Sequence, residues 1–219
     1  LGIATTTLIP PGEFVMSLLI LGLVLFLGCH STRVFAEDWR VATRLRLGEK
    51  MYKGLYSLAS LVGFVLIVYG FNVVRMDSPV LWYPPLPLRH VASLLMLFSM
   101  ILLVAAYVPH NAIKARLHHP MVLSVKVWAL AHLLSNGGLA DLILFGAFLG
   151  WSVLVFRASR QRDRLVEDPA PVLDEPAKVA SPTTMKVMLI GALVWAVLLL
   201  GGHAWLFGVS PVGLGFTGL

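Results

Sequence analysis

The sequence predicts an all-α, polytopic membrane helix bundle, and three observations carry that prediction. Of 219 residues, 58% are hydrophobic and only 13% are charged, with a mean hydropathy of +0.85, far from the composition of a soluble domain. Uncharged apolar runs recur at residues 14–32, 54–74, 91–113, 127–140, 142–156 and 187–207. Each approaches the roughly 20 residues that cross about 30 Å of hydrocarbon, which gives about six transmembrane helices. The short alternating strands of a membrane barrel are absent. Finally, fourteen of the seventeen Lys and Arg residues fall on the stretches 33–53, 110–118 and 157–186. The positive-inside rule assigns these connections to the cytoplasm and both termini to the outside. That distribution also accounts for the net charge of +6 without nucleic acid as a partner. Cys29 is the only cysteine, so an internal disulfide and multi-cysteine metal or cluster sites are excluded.

Residues 1–15, with Thr5-Thr6-Thr7 and Pro10-Pro11, read as a leader or extension ahead of a transmembrane domain at 16–219. A cleaved signal peptide is disfavoured, because the apolar run is long and has no small-residue cleavage site after it. The first span ends Gly28-Cys29-His30-Ser31-Thr32-Arg33, with His30 about one turn inside the boundary that Arg33 marks. His30 is either an interfacial histidine bonded to a backbone carbonyl or a buried site residue. From Ala36 to Lys53 basic residues interleave with Val41, Leu45, Leu47 and Met51 beside Trp39, a pattern suited to a helix anchored on the anionic cytoplasmic leaflet.

In the second span Ser57, Ser60 and Gly63 are spaced by three and permit close helix approach. The connection Arg75–Arg89 holds Trp82-Tyr83-Pro84-Pro85-Leu86-Pro87, where the prolines argue against regular helix. A third span is expected from His90 to about Pro109, with Met96 and Met100 as core fillers. His90 and His110 lie at its wetted ends, His90 near an outer entrance.

Ionisable and polar residues concentrate between His119 and Asn136, where Lys126, Trp128, His132 and Asn136 interrupt an otherwise apolar span. An intramembrane ionisable residue is a functional-site candidate by default. His132, Asn136 and Trp128 are spaced by four and share a helix face, whereas Lys126 lies roughly 120° away. Pro120 fits a first helical turn. The fifteen residues 120–134 rise only about 22 Å, so the turn Ser135-Asn136-Gly137-Gly138 is expected to dip into the outer leaflet beneath a cover of protein. A recessed polar site near Asn136 and Asp141 follows. Residues 157–186, with mixed charge and four prolines, read as a flexible cytoplasmic linker. The last span ends Gly201-Gly202-His203, which puts His203 near the outer face.

Four motifs in order, G-C-H-S-T-R at 28–33, L-G-E-K-M-Y-K-G-L-Y-S at 47–57, H-P-M-V-L-S-V-K-V-W-A-L-A-H-L-L-S-N-G at 119–137 and W-L-F-G-V-S-P at 205–211, resemble the NnrU family of bacterial membrane proteins. The resemblance covers nearly the whole chain from Met16. It implies a relation to 15-cis-zeta-carotene isomerase of plants and cyanobacteria, a membrane enzyme that holds haem b through histidine and isomerises a polyene double bond. The family itself takes its name from a role in nitric oxide and nitrite metabolism.

By that resemblance His30 and His132 stand where the haem-ligand histidines are expected, and His119 matches the histidine of an Arg-His-Pro motif. His118 occupies the arginine's place, so that role falls to Arg116 or is absent. Asn136 and Trp128 would line the pocket or orient His132. On ideal helices His30 lies roughly 7 Å and His132 roughly 16 Å from the inner boundary, a mismatch that tilt would have to absorb. Cys29 is a third choice of ligand.

The leading reading is a haem b-binding protein of the bacterial inner membrane. It would carry out isomerase-like redox chemistry on a hydrophobic polyene or isoprenoid, or serve nitric oxide and nitrite metabolism as an accessory. Besides lipid, that polyene or isoprenoid is the partner implied, and no oligomeric state can be read. A haem-free membrane assembly or sensor protein is the alternative. A lipid-directed transferase ranks last, for want of a nucleotide-binding signature.

Overall fold

The computed structural model describes residues 11–166 and 181–211. Its elements are helical: α1 (Pro11–Phe35), α2 (Glu37–Leu47), α3 (Glu49–Asp77), α4 (Leu86–Tyr107), α5 (Ala112–Leu117), α6 (Pro120–Ser135), α7 (Leu139–Val166), α8 (Ser181–Val197) and α9 (His203–Phe207), with a wide turn at Leu198–Gly202 between the last two. Five stretches have the length and apolarity of a span: Val15–Phe35, Glu49–Asp77, Leu86–Tyr107, Leu139–Leu165 and Pro182–Phe207. Helix α6 is apolar too but has 16 residues, a rise of about 24 Å that is short of the hydrocarbon thickness. The chain is an all-α, multi-pass membrane helix bundle. Large apolar side chains such as Val24, Leu58 and Leu189 stand about 60% exposed, as lipid-facing residues should.

The chain divides into two compact units. In the first, residues up to Trp82 together with Gly138–Ala147, α1 packs on α3 in antiparallel register. A Cβ added at Gly22 would lie 2.7 Å from the Ile67 nitrogen, one at Gly63 2.8 Å from the Phe26 nitrogen, and one at Gly70 2.7 Å from the Leu19 nitrogen. The two backbones touch where glycine recurs, which is the small-residue packing of membrane helices. Gly63 thus does what its spacing predicts, with Gly22 and Gly70 as the partners that extend the contact. Gly48, at φ +76°, turns the chain from α2 into α3. The expected interfacial segment 36–53 is therefore α2 followed by the first turn of α3. Helix α2 buries none of its residues, and Glu37 pairs with Arg40 at 2.6 Å.

This unit also covers the backbone ahead of α7. Leu139 N–H donates to the Pro79 carbonyl at 2.9 Å, Ala140 N–H to Ser78 Oγ at 2.9 Å, and Gly138 N–H to Asp141 Oδ2 at 3.1 Å. The non-helical backbone ahead of α7 is thereby satisfied by protein, as a turn that dips into the membrane requires.

In the second unit, Tyr83–Gly137 with the residues from Phe148 onward, α4 is the central helix and packs on both α6 and α8. Ser99 and Ser124 join α4 to α6 reciprocally: each hydroxyl donates to the other residue's carbonyl, at 3.0 and 2.9 Å. On the α8 side, Gly191 is held so close that a Cβ would meet Ile101 Cα at 2.6 Å, and Trp195 Nε1 donates to the Ser93 carbonyl at 2.9 Å. Buried Asn111 caps α5 by accepting from Lys114 N–H at 2.8 Å and ties back to the Ala105 and Val108 carbonyls at 3.0 and 2.6 Å.

Three boundaries differ from expectation. Helix α4 starts at Leu86 rather than His90, because Pro87 sits in its first turn, where a missing N–H costs no hydrogen bond. Helix α7 runs ten residues past Phe156 to Val166 into the stretch read as linker. Arg160 and Asp163, 3.6 Å apart, and Arg162 and Ser159, 3.0 Å apart, supply i,i+3 support there. Helix α8 begins at Ser181, and residues 167–180 lie outside the described residues, as do residues 1–10 of the stretch read as a leader. The rest of that stretch, Pro11–Val15, belongs to α1.

Candidate functional site

One face of α4 carries Arg89, Ala92, Ser93, Met96 and Met100 at helical spacing, and these line a cavity of about 180 Å³ within the second unit. The end of α6 contributes Ala131, His132, Ser135 and Asn136. Trp195, Leu198, Leu199, His203 and Val209–Pro211 close the other side. The walls are mostly apolar, with polar groups gathered from α6 and from the chain beyond the wide turn. The cavity is partly open to its surroundings.

His132 is held by its own helix. Its Nδ1 donates to the Trp128 carbonyl one turn earlier at 2.9 Å, which makes Nε2 the lone-pair nitrogen of the neutral ring. The Trp128 ring lies 5.1 Å from the imidazole and meets Phe148 edge-on at 5.4 Å. Asn136 Nδ2 donates to the His132 carbonyl at 2.9 Å, and Ser135 Oγ to the Ala131 carbonyl at 3.0 Å. The expected grouping of His132, Trp128 and Asn136 on one face is therefore present. Trp128 orients the histidine from below, and Asn136 reaches the cavity.

The other sequence candidates lie elsewhere. His30 belongs to the first unit. Its Nδ1 donates to the Phe26 carbonyl at 2.7 Å, and its ring lies 4.3 Å from Phe26 and 5.5 Å from Tyr56. It does not line the cavity of His132, and neither does the half-buried Cys29. His119 caps the opposite end of α6, roughly 20 Å from His132 along the helix. There its Nε2 pairs with Asp163 Oδ2 at 2.9 Å and its ring meets Phe156 edge-on at 6.4 Å. His118, at φ +61°, and Arg116 are exposed beside it. Lys126, off the polar face, has its Nζ 5.8 Å from the centre of the Phe156 ring. Asp141 accepts from Gly138 N–H within the first unit.

His203 joins the site instead. Its ring lies 6.4 Å from that of His132, with 30° between the planes, and its Nδ1 donates to the Val209 carbonyl at 2.7 Å. His203 follows a break in the helix at Gly201, whose φ of +150° suits glycine. The break re-aims every side chain after it, and the Gly201-Gly202 pair is the signal that foretold it. Arg89 rather than His90 reaches the cavity, since successive helical residues differ by about 100° and only Arg89 is in phase with Ala92, Ser93 and Met96.

Among the described residues no three His, Cys, Asp or Glu side chains converge to hold a metal ion. A haem brings its own ring nitrogens and asks the protein for only one or two axial donors. An imidazole with Nδ1–H tied to a backbone carbonyl and Nε2 as the donor is the usual form of such a ligand. The donor chemistry at His132 therefore fits. The family model described as NnrU protein matches residues 18–211 of the chain. No curated protein and no solved structure matches it.

Proposed function

The chain belongs to the NnrU family, and from that premise and the geometry around His132 we propose that it is a haem b-binding protein of the bacterial inner membrane. The single observation that supports this most is the setting of His132, a half-buried imidazole on an apolar cavity wall whose tautomer is set by the Trp128 carbonyl. The relation to 15-cis-zeta-carotene isomerase, drawn from the motifs, supports the same cofactor. His132 would hold the iron, Arg89 at the rim would counter a propionate, and Trp128 would keep the ring from turning. When bound, the haem supplies one-electron chemistry that an apolar bundle lacks.

The chain's own contribution is a dry, shaped space. Ala92, Met96, Met100, Ala131, Leu198 and Leu199 line it, and such walls favour a hydrophobic chain over a small anion. We therefore prefer isomerase-like chemistry on a polyene or isoprenoid to an accessory role with nitric oxide or nitrite.

Protein produced with ample haem and purified in detergent should show a Soret band. His132→Ala should lose or shift that band while the chain still inserts into the membrane. Wild-type protein without Soret absorbance would overturn the proposal in favour of a haem-free assembly or sensor protein. An unchanged spectrum in His132→Ala would remove this residue as the ligand.

A further inference from the structure

We propose that α2 binds an anionic phospholipid surface in the plane of the membrane, with its exposed apolar sector in the leaflet and unpaired cations beside it on the lipid phosphates. The proposal is independent of the haem reading above. Connectivity carries the first step. Ala36 alone separates α2 from α1, and Gly48 alone separates it from α3. A rod of 11 residues, about 16 Å long, is thus tied at both ends to helices with the length and apolarity of a span and stays at the boundary.

The exposed face is apolar. Val41 and Ala42 lie within about 60° of Leu45 around the helix, and all three are exposed, Leu45 at 79%. Arg40 and Thr43, about 140–160° from Leu45, form the half-buried side. The sector around Leu45 is therefore the one that α1 and α3 leave uncovered. Exposed Phe35, Trp39 and Met51 extend it at the two ends, and tryptophan suits the headgroup zone. Asp38, in phase with Leu45, sits in the first turn, where the helix dipole favours a carboxylate.

Charge selects the occupant. Residues 33–53 hold six Lys and Arg against three Asp and Glu, and two of the acids are engaged. Glu37 pairs with Arg40 at 2.6 Å, and Glu49 with Lys53 at 2.7 Å and Arg44 at 3.4 Å. Arg33, Arg46 and Lys50 make no ion pair among the described residues. Arg44 and Arg46 flank Leu45 at about 100° on either side, where a long side chain buries its stem and lifts its charge to phosphate level. A neutral apolar surface would leave the cations unanswered. An anionic leaflet answers both features, with roughly a fivefold gain in affinity for each Lys or Arg near it.

The test uses the full chain with Cys29→Ser and Leu45→Cys, the new thiol carrying a nitroxide. The protein is held in nanodiscs of phosphatidylcholine alone or mixed with phosphatidylglycerol. Relaxation of the nitroxide by oxygen and by a water-soluble nickel chelate reports its depth. In mixed discs oxygen should be the stronger relaxant. The balance should shift toward the chelate in phosphatidylcholine alone and at about 1 M salt, where the screening length falls to about 3 Å. Arg46→Gln combined with Lys50→Gln should give the phosphatidylcholine result in mixed discs, and the salt series decides the matter if that variant fails to insert. A label open to the chelate in every disc would overturn the proposal, as would immersion indifferent to lipid charge and salt. A label sheltered from both relaxants would overturn it too, since a second copy or another protein would then cover α2.

Discussion

At the residue scale the second unit depends on pairs of small polar groups that satisfy one another inside an apolar medium. Ser99 and Ser124 are the clearest, both nearly or fully buried and each bonded to the other's carbonyl. Replacing both with alanine removes the two interhelical bonds but leaves both carbonyls bonded within their helices. The loss should therefore be modest, about 0.6 kcal/mol per bond, read as a small drop in thermal midpoint in detergent. A loss several times larger would mean that the α4–α6 interface has no tolerance for repacking. His132 differs from these serines because, on the proposed haem reading, one ring nitrogen serves orientation and the other would serve ligation. Exchanging Trp128 for alanine retains the carbonyl that takes Nδ1–H but removes the indole against the ring. Trp128→Ala should accordingly broaden or shift the Soret band without abolishing it, whereas His132→Ala acts on the donor itself.

At the element scale two glycine devices dominate. Where α1 meets α3, Gly22, Gly63 and Gly70 leave no room for even one carbon, while Gly54 in the same helix α3 has open space around its missing Cβ. Gly54→Ala should raise stability by about 0.4–1 kcal/mol through lower freedom of the unfolded chain. Gly63→Ala and Gly70→Ala should lower it, because backbone atoms of α1 have to move. Thermal unfolding of the three variants decides this, and equal behaviour would refute the close-contact account. The second device is the Gly201-Gly202 turn, which acts on aim rather than on approach and so is read through the site.

For the whole molecule the testable property is orientation. By the positive-inside rule the α5 segment is expected in the cytoplasm and the α3–α4 connection outside. In a chain with Cys29 replaced by serine, Tyr83→Cys, at a position 86% exposed, should react with an impermeant thiol reagent added from the outside. Arg116→Cys, also exposed, should react only after the membrane is opened. The reverse pattern would invert the topology.

Composition and hydropathy by themselves determined that the chain is a membrane helix bundle, since about 20 apolar residues in a row have no other stable place than hydrocarbon. Local spacing determined that Trp128, His132 and Asn136 share a face, because a helix of 3.6 residues per turn leaves no freedom in that respect. The NnrU motifs identified the family that the match over residues 18–211 bears out. Only the tertiary structure decided which distant residues meet His132. Arg89 and His90 are equally polar neighbours in sequence, and their helical phase against the rest of α4 separates them. That His203 stands beside His132 could not be read from its place in the sequence, because it follows a break in the helix at Gly201. The extension of α7 past Phe156 was hidden for a related reason: its charged residues read as solvated linker, yet their i,i+3 pairs sustain a helix. Periodicity carries information within one regular element, whereas a break in that regularity and the approach of separate helices arise from contacts remote in sequence.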